Sequence, residues 1–400
     1  MNVHDETKDK KDLKRKQIRI LLVLNLFIMA TFNMAHPVTP KLINENGFPS
    51  YMFGVFFALM AVANYIMSPI WGSLSDQKGR KRFLILGVIG YGLSQWGFGL
   101  SSHIFPIVIF RLVGGTFSIC YITAALAYLT DLTEPKVRMK YLSYYTATLS
   151  LGTSMGSLLG GVLGQNHYQY TFLAQGAFCM VLAIILIPTI RYMASQKEKG
   201  KKVVVYMEHL KPRKASIDFK SAIGILIVVM ALINITTTAY NSTINYYIES
   251  ILNMPSTVNG LVLAVAGVIG LIMNVFVGPW LSTRVEEGRL IHYTTGLTGI
   301  FLIAASTFNA MAGVLICLVG FVMASALVIP IQQSMVSKLA DKDYGTVMGV
   351  QGSAKALGMV IGSLGSGFIF GIGPKLPFVF AGLAALMACI LLKGLVLKKK

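Results

Sequence analysis

The residues best suited to a switch lie in the run Gly72-Ser-Leu-Ser-Asp76-Gln-Lys-Gly79-Arg80-Lys81-Arg82. One acid precedes one base by four residues, and a glycine lets the chain reverse direction between them. Asp76 can pair with Arg80 or face the positive N-terminus of a neighbouring helix, a contact able to form in one gate state and break in another. Asp131, followed by Arg138, extends this into a network of two acids and two bases. Other charges lie where charge is expensive. Arg111 (in the run FRLVGG) and Lys355 fall inside long apolar stretches, which makes each a functional candidate. Lys355, about nine residues into its stretch and near the middle by helical rise, can neutralise an anionic group or titrate. His36 can carry a proton at neutral pH. Glu249 closes the short series of ionisable groups at a stretch's end. Gly152-Thr-Ser154-Met-Gly156 fits a hydrolase nucleophile pattern, but it lies in an apolar helical run without the strand–turn–helix setting that chemistry needs. No catalytic residue is assigned, and no enzyme activity is expected.

These groups must be positioned by a membrane protein. Hydrophobic residues make up 54% of the 400 residues and charged residues 13%. Apolar stretches of about twenty residues, each long enough to cross a bilayer core of about 30 Å, recur along the chain. Twelve spans are read, near 18–40, 51–75, 82–102, 106–129, 140–164, 171–193, 221–248, 257–281, 289–308, 311–336, 346–370 and 376–397. The formal charge of +19 is not a nucleic-acid signal. Apart from Lys41, Lys375, Arg111 and Lys355, the basic residues fall in segments on one side, which places both termini in the cytoplasm. The expected division is a cytoplasmic segment 1–17, a six-helix half 18–193, a basic linker 194–220, a six-helix half 221–397 and a tail 398–400. Cys120, Cys179, Cys317 and Cys389 lie in spans with no metal or disulfide spacing. No metal is expected.

The halves repeat. Gly54, Gly72, Gly114, Gly152, Gly156 and Gly161 recur as Gly260, Gly278, Gly320, Gly358, Gly362 and Gly367, all at an offset of 206. A glycine held at one offset through apolar sequence marks a close backbone approach. Span five carries Gly152, Gly156, Gly160 and Gly161 one turn apart, and span eleven repeats the face with Gly358 and Gly362. Polar and aromatic residues suited to lining a substrate cavity are Asn33, Tyr144, Tyr145, Tyr240, Asn241, Asn245, Gln332 and Gln333. Soft and aromatic walls suit varied lipophilic ligands.

The Gly72–Arg82 run resembles the signature loop of the major facilitator superfamily, G-x-L-x-D-x-x-G-R-K/R. Arg111 to Gly115 is similar to that family's fourth-helix motif, with Gly114 where glutamine is common. Gly152–Gly161 is similar to its antiporter motif, with Ser157 in place of proline. The resemblance covers residues 19–397 and is nearest in pattern to twelve-span drug:proton antiporters of bacteria. It implies an all-α integral membrane fold of twelve transmembrane helices in two pseudo-symmetric six-helix bundles. It also implies proton-coupled export of small lipophilic compounds by alternating access from the plasma membrane. Asp76 and its partners would latch the inner side, and Arg111 would tune proton coupling, with His36, Glu249 and Lys355 as further candidates. The glycine faces would seal or slide. The implied partners are a small-molecule substrate, protons and membrane lipid, with no nucleic acid, no cofactor beyond the proton gradient, and a monomeric state. The alternative in the same fold is a transporter of one sugar, metabolite or siderophore. A non-transporting receptor is the remaining class.

Overall fold

The computed structural model describes residues 3–190, 221–308, 311–339 and 344–397. The linker 194–220 and the tail 398–400 lie outside the described residues. Fourteen α-helices follow in order, and no strand occurs among the described residues. They are α1 (Val3–Asn33), α2 (Thr39–Glu45), α3 (Met52–Lys78), α4 (Arg80–Leu100), α5 (Ile104–Leu132), α6 (Pro135–Leu163), α7 (Tyr168–Thr189) and α8 (Ala222–Tyr246). The remainder are α9 (Ser256–Ile272), α10 (Gly278–Ser282), α11 (Glu287–Thr307), α12 (Met311–Leu339), α13 (Tyr344–Phe370) and α14 (Leu376–Leu397).

Local sequence sets the boundaries. The first span breaks after Asn33, because Pro37 and Pro40 remove backbone donors and disfavour helix before them. A single tight turn, His36–Val38, then leads into α2. Gly79 separates α3 from α4 with φ 90 and ψ 134, a left-handed backbone that a side chain would strain. Pro135 opens α6 at its first turn. The Ser221 hydroxyl caps α8 by accepting from the Gly224 N–H at 3.1 Å. Two spans contain π-helical turns that the sequence did not announce. Tyr247–Ile251 extends α8, and Met273–Val277 joins α9 to α10. Such widened turns cluster at functional places.

Eleven stretches of the described residues are long and apolar enough to cross a membrane, and α6 is not among them. Its Gly, Ser and Thr dilute its apolar residues. With α6 the long helical segments number twelve. Apolar side chains fill the interior and also cover much of the outer surface. On α7, Thr171, Gln175 and Cys179 point inward while Phe178, Val181 and Ile184 are exposed, as a helix facing lipid requires.

Contacts divide the chain into two compact units. One gathers Met1–Val38 and Ala63–Lys211, the other Thr39–Val62 and Pro212–Lys400. Residues 39–62, which the sequence reading keeps with the first half, thus pack within the second unit. Inside the first unit α1 packs on α6, and α4 packs on α5 and α7. Inside the second, α8 packs on α13, and α11 packs on α12 and α14. The same pairs of corresponding helices meet in both, which is the sequence repeat expressed as packing. The core of the second unit is apolar and close-packed, with Leu226, Ile291, Leu327, Val328, Ala388 and Leu392 at its centre.

Candidate functional site

In the first unit the turn at Gly79 is a compact polar cluster. Arg80 pairs with Asp76 one turn earlier on α3. Its Nε donates to Asp131 Oδ2 at the end of α5 at 3.0 Å, and its Nη1 donates to Ser75 Oγ at 2.7 Å. One guanidinium therefore joins two carboxylates and a buried hydroxyl. The Arg80 side chain is 11% exposed while both acids are 41% exposed, so the base is sheltered and the acids can exchange with solvent. Gly72 lies behind the cluster, where its carbonyl accepts from Ser75 Oγ at 3.0 Å. Lys81 is half-buried beside Arg80. Arg138 stands apart from this network. Its Nη2 reaches the Thr133 carbonyl at 3.5 Å, at the limit of a hydrogen bond.

The second unit holds an ion pair at the corresponding corner with its charges inverted. Glu287, which opens α11, accepts from Lys338 Nζ at 2.8 Å and from Ser334 Oγ at 2.8 Å, both on α12. Arg80 opens α4 and Asp131 ends α5, and the helices equivalent to these by the repeat are α11 and α12. Only the signs are exchanged. At the offset Arg80 maps onto Glu286 and Asp131 onto Ser337, so both charges of this pair stand one residue past the aligned positions. Two opposite charges at facing helix ends were the available signal.

Arg111 lies on α5 with 1% of its surface exposed, and its guanidinium carbon stands 4.6 Å from the centre of the Phe98 ring on α4. His36 and Tyr91 are close enough to feel its charge. The surroundings follow from the break in the first span. Helix α1 ends at Asn33, so its last carbonyls have no helical partners. Tyr91 OH donates to the Phe32 carbonyl at 2.8 Å, and Gln175 Nε2 donates to the Thr31 carbonyl at 2.7 Å. The negative end of α1 is thereby pinned close to a buried cation, a favourable arrangement of dipole and charge. Gln95 is 1% exposed in this region, and neither end of its amide has a partner among the described residues. Gln95 and Gln175 were missed in the sequence. A glutamine within an apolar span is their signal.

The glycine faces are contact surfaces. A Cβ on Gly152 would come 2.7 Å from the Leu26 carbonyl oxygen. One on Gly156 would stand 2.6 Å from the Ala30 carbonyl carbon, and one on Gly160 would be 2.8 Å from Met34 Cα. Residues spaced by four on α6 thus meet residues spaced by four on α1 and just past its end, which is ridge packing at backbone distance. Gly161 follows Gly160 on this helix. In the second unit Gly358 abuts Ala231 and Asn234, and Gly362 abuts Ile235. Ser154 is buried, and its hydroxyl donates to the Ser150 carbonyl at 3.0 Å, one turn back in the same helix.

The cavity candidates divide by exposure. In the first unit Tyr144 is exposed and Tyr145 is buried, while Asn33 donates to the Met29 carbonyl at 2.7 Å. In the second unit Asn241 and Gln333 are exposed. Tyr240, Asn245 and Gln332 are buried there. Tyr240 packs 4.3 Å from the Phe321 ring centre, and its hydroxyl has no partner among the described residues. Gln332 bridges the Leu226 carbonyl at 3.1 Å and Gln351 at 2.9 Å. Glu249 sits in the π-helical turn and accepts from Ser256 at 3.3 Å. Beside it Asn44 of α2 accepts from Tyr246 OH at 2.8 Å and donates to Ser250 at 2.9 Å. Lys355 is exposed on α13.

A helical membrane protein built from an internal repeat, with a charged reversal turn and cations held within its spans, is by class a secondary transporter rather than an enzyme. The description "Major Facilitator Superfamily" matches residues 21–363 and, in a second alignment, 226–400. The chain belongs to that family. Multidrug resistance protein 1 of Bacillus subtilis is 24% identical over 373 residues, covering 92% of this chain and 94% of that protein. Quinolone resistance protein NorA of Staphylococcus aureus is 20% identical over 367 residues, covering 92% and 93%. Among solved structures, the inward-facing, occupied form of a bacterial homolog of the human lysosomal transporter Spinster aligns with a TM-score of 0.74 at 14% identity, covering 94% of this chain and 95% of that one. The human organic anion transporter MFSD10 (TETRAN) aligns with a TM-score of 0.67 at 18% identity, covering 95% and 99%. The likeness to these structures is one of fold.

Proposed function

We propose that this chain is a proton-coupled exporter of small lipophilic compounds, working by alternating access in a bacterial plasma membrane with both termini in the cytoplasm. Residues 18–193 and 221–397 would be the two halves that move. The observation that carries this reading is the stripe of Gly152, Gly156 and Gly160 packed at backbone distance on α1, within a motif similar to that of antiporters. The bacterial relatives named for multidrug and quinolone resistance support the substrate class. In this reading the Asp76–Arg80–Asp131 cluster latches the cytoplasmic side. Arg111 and His36 set the proton affinity of the first unit, and the proton gradient replaces any cofactor. Asn33, Tyr144, Asn241 and Gln333 are offered to substrate as the half-exposed and exposed members of the cavity set.

The test is accumulation in an efflux-deficient bacterial host. Expression of the chain should lower the cellular content of a fluoroquinolone and of an unrelated lipophilic dye, and a protonophore should restore both. Lowered content that persists with the protonophore would refute proton coupling. Unchanged content of both compounds, with the protein present in the membrane, would refute drug export.

A further inference from the structure

The chain carries sixteen acidic residues. Each acid that falls in a candidate span among the described residues lies in that span's first or last turn, Glu249 among them, two residues from the close of Ala222–Ile251. Cations are distributed otherwise. Arg111 is buried and stacked on Phe98, so it serves the interior of the first unit. Lys355 is different in kind. It lies eleven residues into α13 (Tyr344–Phe370), about 16 Å along the axis. That is two residues from the helix's midpoint at Leu357. Lys355 is exposed, and it has no hydrogen-bonding or ion-pair partner among the described residues.

Its direction can be worked out on α13. Leu357, Ile361 and Phe368 form the exposed apolar stripe, at 63%, 50% and 58% of their surfaces. At 100° per residue, Lys355 lies about 140° round the helix from the middle of that stripe and Gly352 about 160°. Gly352 is also exposed, and a Cβ built on it would meet nothing within 4 Å. Farther along, this side of α13 packs on α8 through Gly362 and Ser366, but at Gly352–Lys355 it presents an unpaired ammonium beside open space. Gln351, one turn before Lys355, is 3% exposed and has its Oε1 without a partner among the described residues.

We propose that Lys355 and the open face at Gly352 form an anion-binding subsite, so that the compounds exported are lipophilic carboxylates or zwitterions rather than lipophilic cations. This rests on the export reading above and narrows its substrate class. A carboxylate gains a charge-assisted contact with Lys355 where water is scarce. A lipophilic cation entering the same face meets a like charge and finds no acid nearby within the membrane stretch.

The test uses the full chain in phosphatidylcholine nanodiscs and three fluorescent probes with one dansyl body: a hexanoate, its methyl ester and a trimethylammonium analogue. Wild type should bind the carboxylate most tightly. Lys355→Gln should weaken the carboxylate about tenfold or more, the scale of one charged hydrogen bond, and leave the ester unchanged. Lys355→Arg should retain the preference. Equal weakening of carboxylate and ester, no weakening of either, tighter binding of the trimethylammonium probe, or no binding of any probe would each overturn the proposal. So would loss of the carboxylate preference on adding phosphatidylglycerol, which would assign the lysine to lipid phosphate. Movement of the ester out of proteoliposomes is measured beside this. If binding follows the prediction and no probe moves, the export reading fails and the subsite stands. If the ester moves and carboxylate binding ignores Lys355, the subsite fails and export stands.

Discussion

Replacing Gly156 by alanine should loosen the contact of α1 with α6 in a way that can be sized beforehand. The added Cβ would stand 2.6 Å from the carbonyl carbon of Ala30 and 2.9 Å from its Cα. Both are backbone atoms of a neighbouring helix, so relief requires the helices to part. Overpacking of this kind costs about 1–3 kcal/mol. Alanine returns about 1 kcal/mol of helix propensity over glycine. Because the obstruction is backbone, the upper part of the range applies, and a net loss of about 2 kcal/mol is expected. Gly352→Ala is the matched control, since nothing lies within 4 Å of its added Cβ. It keeps the propensity gain without the collision. The assay is thermal unfolding of the purified chain read by a thiol-reactive fluorophore, because Cys120 and Cys179 are fully buried and Cys317 is 7% exposed. At about 2–4 °C per kcal/mol for a domain of this size, Gly156→Ala should melt about 4–8 °C below wild type. Gly352→Ala should melt at or slightly above it. A Gly156→Ala protein as stable as the Gly352→Ala protein would refute the reading of the glycine face as an obligatory close contact.

Arg111→Lys should lower stability by up to about 2 kcal/mol, since an ammonium cannot reproduce a planar guanidinium stacked on Phe98 and a desolvated cation–π contact is worth about that much; thermal unfolding checks this. Reversing Glu287 to Lys or Lys338 to Glu should destabilise by less than about 1 kcal/mol, because Lys338 is 66% exposed, and the double reversal should recover most of that loss in a double-mutant cycle. Tyr240→Phe should melt at or above wild type, because it removes a buried hydroxyl without a partner among the described residues. If that hydroxyl serves substrate, ligand titration should show weaker binding in the same protein.

Much of the fold was legible because a bilayer constrains sequence strongly. Apolar length fixes the spans, basic loops fix the expected orientation, and the recurring glycines announce which helices touch. Gly156 and Gly362 could be picked out as contact points from their spacing alone. The partners across the contact, Ala30 and Ile235, could not, because no local pattern distinguishes them from other small or apolar residues. The break at Asn33 was half-written in Pro37 and Pro40. The π-helical turns at Tyr247 and Met273 were not, since an extra residue in a helical turn leaves no mark on hydrophobic periodicity. At the candidate site, Asp76, Arg80 and Asp131 come together, and their spacing around Gly79 made the first pair readable. The Glu287–Lys338 pair escaped notice because it joins residues on different helices and inverts the sign of its counterpart. Gln95 and Gln175 escaped for a similar reason: their importance lies in the carbonyls and charge that tertiary packing brings beside them.

In the export reading proposed above, movement of a lipophilic compound and of protons is one coupled event governed by the Asp76–Arg80–Asp131 latch. It is tested most directly in inside-out vesicles acidified within and carrying a pH-sensitive dye. Addition of several unrelated lipophilic compounds should discharge the gradient, and Asp76→Asn, with the protein still folded, should abolish the response. A wild-type protein that leaves the gradient untouched by every compound, or an Asp76→Asn protein that discharges it as fast as wild type, would rule out coupling through this latch.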